Sequence, residues 1–86
     1  MLTENGAELY GEARVADLLL SYRLTREKDG GFTLSVTQSG HGRNEVRVIR
    51  DFTRRPDRAQ RFFNLLVSGG VTLLHLSDVV DDLLAE

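Results

Sequence analysis

Phe62-Phe63-Asn64-Leu65-Leu66-Val67-Ser68-Gly69-Gly70-Val71-Thr72-Leu73-Leu74-His75-Leu76-Ser77-Asp78-Val79-Val80-Asp81-Asp82-Leu83-Leu84 is the densest apolar run of the chain, and its spacing decides the fold class. Ala59, Phe62, Phe63 and Leu66 recur at i, i+3, i+4 and i+7, the spacing of one helical face, and Leu65 and Val67 widen that face. Pro56 suits the first turn of such a helix, where a missing N–H costs nothing. Thr53 is a candidate cap just upstream, and Asp57 complements the positive end of the dipole. Gly69-Gly70 closes the helix, since glycine takes the left-handed conformation without strain. Leu76, Val79, Val80 and Leu83 then repeat the spacing, with Ser77, Asp78, Asp81 and Asp82 opposite them. This predicts a second amphipathic helix, stabilised by docking rather than by propensity.

Upstream the period changes from helical to two. Met1 to Glu8 is polar and aperiodic and reads as a loose tail. Leu9 to Val15 alternates weakly, a short strand that Gly11 weakens. Ala16, Leu18, Leu20, Tyr22 and Leu24 share one side of a clearer strand. The apolar phase shifts between Val15 and Ala16, which requires a tight turn or a bulge there. Glu27-Lys28-Asp29-Gly30-Gly31 is a hairpin signal. Phe32, Leu34 and Val36 then alternate with Thr33, Ser35 and Thr37, as in a sheet with one buried and one solvated face. Ser39-Gly40-His41-Gly42 turns the chain into a further strand, Glu45 to Phe52, with Val46 and Val48 expected inward and Arg47 and Ile49 outward. Strands first and helices last make an α+β fold: a three- or four-stranded antiparallel meander covered on one face by two C-terminal helices. Residues 1–86 are read as a single domain.

With 86 residues and no cysteine, neither a disulfide framework nor a thiolate metal site is expected. Glu4 and Glu8 interrupt the N-terminal stretch, and no window reaches the roughly 18 apolar residues of a membrane span, so a cytoplasmic protein without membrane contact is expected. Charge is unevenly placed: seven arginines but only three acids lie between Arg43 and Arg61, whereas only acids follow Leu76.

Each chemical motif has a plainer structural explanation. His75, Asp78 and Asp82 share a helical face, but one histidine without a second in register is a poor metal site, so no metal and no cofactor are expected. Gly40-His41-Gly42 leads into a strand rather than a helix and is a turn, not a phosphate cradle. No nucleophile sits in a Gly-x-Ser-x-Gly elbow, and Asp81 and Asp82 diverge by about 100° around a helix, so they cannot act on one atom. The chain is therefore read as not an enzyme.

The run His75-Leu76-Ser77-Asp78-Val79-Val80-Asp81-Asp82-Leu83 resembles the closing His-Leu-x-Asp-Val-Val-x-Asp signature of a family of small bacterial proteins known only as a domain of unknown function. Tyr22-Arg23-Leu24 and the following hairpin are compatible with the same family. The resemblance implies a bacterial cytoplasmic protein and no activity.

Two functional readings follow from the residues. The first is a small protein-interaction or regulatory module, self-associating as a homodimer through Leu19 and Ile49 on the sheet face away from the core and Leu65 and Leu84 at the margins of the helical stripes. Unpaired sheet edges favour the same outcome. The second is nucleic-acid binding through Arg43 and Arg47 on the strand and Arg54, Arg58 and Arg61 at i, i+4 and i+7. An acidic balance, absent lysines in that segment and no stacking aromatics favour the first.

Overall fold

The computed structural model describes residues 8–84, with the side chains of Leu83 and Leu84 outside that description. Four strands, β1 (Glu8–Val15), β2 (Leu18–Arg26), β3 (Phe32–Gly40) and β4 (Arg43–Thr53), are followed by helices α1 (Pro56–Gly69) and α2 (Leu73–Leu84). The strands form one antiparallel sheet in the order β1-β2-β3-β4, which leaves β1 and β4 as its two edges. Both helices lie on one face, and the α+β arrangement read from the sequence is the observed one. The expected tail falls outside the described residues as far as residue 7, and Glu8 already belongs to β1.

Turn chemistry explains each strand junction. Val15 pairs with Leu18, so the phase shift in the sequence is the two-residue turn Ala16-Asp17, with Ala16 at φ 55°. Glu27 N–H donates to Gly31 O at 2.8 Å and Gly30 N–H to Glu27 O at 3.0 Å, with Gly30 at φ 94° closing the β2–β3 hairpin. His41 and Gly42, both at positive φ, connect Gly40 to Arg43. The α1 N-cap is Arg55 with Pro56 in the first turn; Thr53 does not cap the helix but accepts a 3.2 Å hydrogen bond from Arg55 N–H. At the other end Gly70 takes φ 57°, and Val71 N–H donates to Leu66 O at 3.2 Å, so the glycine pair stops α1 by the expected left-handed closure.

The core lies between sheet and helices. Leu9, Leu20, Tyr22, Leu24, Leu34, Val36 and Phe52 meet Ala59, Phe62, Phe63 and Leu66 from α1 and Leu73, Leu76 and Val80 from α2. Each large apolar side chain buried there contributes about 1.5–3 kcal/mol against the entropy of ordering the chain. Close approach sets the helix position: a Cβ on Gly11 would stand 2.8 Å from Val67 Cγ2, so glycine lets α1 settle onto β1. The Tyr22 hydroxyl, buried in the core, donates to Val71 O at 2.6 Å and ties the sheet to the link between the helices. Gln38 Oε1 accepts from Leu73 N–H at 3.0 Å, fixing the start of α2.

One expectation is corrected in β4. Val46 and Val48 do not face the core; they are exposed on the open side of the sheet, and Ile49 packs against the core instead. The physical reason is a bulge. Leu34 pairs with Ile49, but Phe32 pairs with Thr53, so β4 carries extra residues around Asp51, which sits at φ 50°. Phe52 reaches the core by way of that bulge and therefore does not share the face of Val46 and Val48. Counting back by twos from Phe52 assigns the valines to the wrong side.

Candidate interaction surface

The face of the sheet away from the helices is mostly polar. Thr33, Ser35, Thr37 and Ser39 from β3 run down its middle, with Ser21, Arg23 and Thr25 from β2 beside them. At the β1 side the exposed Tyr10 is held by its own neighbours: its hydroxyl donates to Glu12 Oε2 at 2.8 Å and lies 3.2 Å from Ser21 Oγ, and the Arg23 guanidinium stands 6.0 Å from the ring. At the β4 side Val46 is 61% exposed and Val48 44% exposed. Every residue from His41 to Val48 is exposed, and among the described residues β4 has no strand beyond it. An apolar pair on a long free edge is a feature that the rest of this polar sheet face does not explain.

The residues expected to make a protein contact are scattered. Leu19 is half-buried on the open face opposite Ser39, and Ile49 lies on the covered face. Leu65 is exposed on α1, and the Leu84 side chain lies outside the described residues. The structure thus brings no two of Leu19, Ile49 and Leu65 into one surface. Val46 and Val48 are instead the exposed apolar residues of β4, and the sequence signal that locates them is the broken alternation Val46, Val48, Ile49, Phe52.

Nor do the arginines form one stripe. Arg43 opens β4 and Arg54 follows its last residue, so the two stand towards opposite ends of the strand. Arg54 precedes α1 and clamps the β2–β3 turn to the bulge: it donates to Asp29 O at 2.8 Å, pairs with Asp29 Oδ2 at 3.2 Å and lies 3.6 Å from Asp51 Oδ1. The Gly31 backbone N–H bonded to Asp29, followed by Arg54, holds the Asp29 carboxyl below the usual carboxylate range. Arg47 points to the helical side and donates to Ser77 Oγ at 3.3 Å, and Arg43 lies 4.0 Å from Glu45. Arg58 is half-buried and Arg61 exposed.

The hollows are open and polar-rimmed. A cleft of about 370 Å³ is lined by Leu18, Gln38, Gly40, His41, Arg43 and Glu45. On its rim His41 Nε2 lies 3.5 Å from Asp17 Oδ2, an exposed pair that joins the tips of two hairpins and contributes at most about 1 kcal/mol. Another, of about 470 Å³, lies among Glu27, Lys28, Asp29, Thr33, Arg50 and Asp51. Among the described residues no cluster of histidine and carboxylates is placed to hold a metal ion; His75, Asp78 and Asp82 are all exposed on α2. Among the described residues no helix is long and apolar enough to cross a membrane.

Residues 2–86 match the family of unknown function DUF6514. The chain belongs to that family. The match takes in the sheet as well as the His75–Leu83 run, so the four strands and both helices are a family domain whose function is not defined. Comparison with curated proteins and with solved structures gives no match.

Proposed function

We propose that this DUF6514 chain is a non-enzymatic interaction module that self-associates by pairing its free β4 edge. The observation that carries the reading is the exposure of Val46 and Val48 on an edge strand whose outer backbone groups have no neighbour in the sheet. Joining two such edges satisfies those groups and covers the valines. Tyr10, at the other edge, is already engaged by Glu12, Ser21 and Arg23. The dispersed, partly occupied arginines give less support to binding a phosphate backbone.

Mass measured by light scattering over a concentration series tests this. The expected result is a rise from the 9.6 kDa of one chain towards twice that value, with Val46→Asp and Val48→Asp holding the protein at one chain and unfolding with the wild-type midpoint at dilutions where the wild type is itself a single chain. A single-chain mass at every concentration overturns the reading.

A further inference from the structure

We infer that β4 pairs antiparallel with β4 of a second copy about a two-fold axis at Val46, in a register selected by the Glu45 and Arg47 charges; this rests on the self-association proposed above. His41-Gly42 is a two-residue turn, so Gly40 and Arg43 exchange hydrogen bonds, and bonded pairs then alternate along the ladder. Glu45, Arg47 and Ile49 accordingly bond inward, to Gln38, Val36 and Leu34. Asn44, Val46 and Val48 occupy the intervening positions, which turn their N–H and C=O groups to the free edge.

In an antiparallel pair an outward-turned residue faces another of its kind, so a two-fold axis stands at a residue and not between two. An axis at Glu45 opposes Glu45 to itself and Arg43 to Arg47. An axis at Arg47 opposes two guanidiniums. At Asn44 the overlap ends almost at once in the His41-Gly42 turn, and at Val48 it runs into the bulge at Asp51. At Val46 the whole straight segment from Arg43 to Ile49 overlaps with its symmetry copy. Val46 then faces Val46, Asn44 faces Val48, and Glu45 faces Arg47 on both sides of the axis. Glu45 and Arg47 lie on the covered side of an edge strand, where charges normally prevent edge-to-edge joining. Here they disfavour the registers centred on Glu45 and on Arg47 and neutralise each other in the one centred on Val46, which gives selectivity for a second copy of this chain.

The chain lacks cysteine, so single-cysteine variants report the register cleanly. Facing Cα atoms in a bonded antiparallel pair are about 5.5 Å apart, within the range a disulfide spans. Under mild oxidation Val46→Cys is expected to form a covalent dimer at least about tenfold faster than Asn44→Cys or Val48→Cys alone, while a mixture of those two yields the mixed dimer. Glu45→Arg and Arg47→Glu are each expected to weaken association about tenfold or more, and the double exchange to restore it to within about threefold. A dimeric mass without preferential crosslinking at Val46, or with crosslinking at Glu12→Cys on the β1 edge, overturns this register and leaves self-association standing. A single-chain mass at all concentrations removes both.

Discussion

Val48 and Ile49 are neighbours in β4 and nearly equal in apolar size, yet Ile49 packs against the core while Val48 stands 44% exposed on the other side of the sheet. Their cross-strand partners explain the difference. Ile49 pairs with Leu34, in a row roofed by the helices, whereas Val48 pairs with Ser35 in the hydroxyl-lined face. What an apolar side chain contributes is thus set by the row it joins, and the row is set by register. The covered face holds the fold together, and in the proposed dimer the open β4 edge meets a second copy.

The largest effect expected from this division is on stability. Leu34→Ala should cost about 2–5 kcal/mol by loss of transfer energy and the cavity left behind, while Val48→Ala stays within about 0.5 kcal/mol. Urea denaturation of both at a concentration that favours the single chain checks this, and comparable losses would break the comparison. Gly11→Ala should cost about 1–3 kcal/mol in the same assay, because its new methyl meets Val67 on the covered face.

Tyr22→Phe should cost about 1–2 kcal/mol, since Val71 O loses its donor in a part-buried site. It also removes a pH dependence. Burial pushes the Tyr22 hydroxyl up to about 12, so the folded chain keeps its proton where the unfolded chain, near its ordinary value of 10.0, releases it. The Tyr22 contribution is complete below about pH 10 and is lost as pH rises towards about 12. Unfolding midpoints taken up that range should fall more steeply in the wild type than in Tyr22→Phe; parallel slopes would place the dependence elsewhere. The smallest effect is a gain: Ala16→Gly should raise the unfolding free energy by about 0.5–1 kcal/mol, because Ala16 holds φ 55°, which costs a side-chain-bearing residue more than glycine.

The helices were legible because their apolar spacing and the Gly69-Gly70 stop agree at every level, and the β2 and β3 faces because strict alternation needs no knowledge of partners. The face of β4 was not. Asp51 introduces a bulge that resets parity between Ile49 and Phe52, and an aspartate in the left-handed region leaves only a weak mark in a sequence. The Arg54 clamp was hidden for a related reason. Its spacing to Arg58 and Arg61 fits a helix, but α1 begins only at Pro56, and the carboxylates that engage Arg54 come from a turn and a bulge. The same register exchanges Ile49 for Val46 and Val48 on the open face, while Leu19 lies on that face as expected.

Hydrogen exchange of individual β4 amides at low and high protein concentration tests the β4 edge most directly. The expected result is that Arg47 and Ile49 amides, bonded inward to β3, are protected at both concentrations, while Asn44, Val46 and Val48 amides exchange freely when dilute and become protected as copies pair. Asn44, Val46 and Val48 rates that do not change with concentration would contradict it.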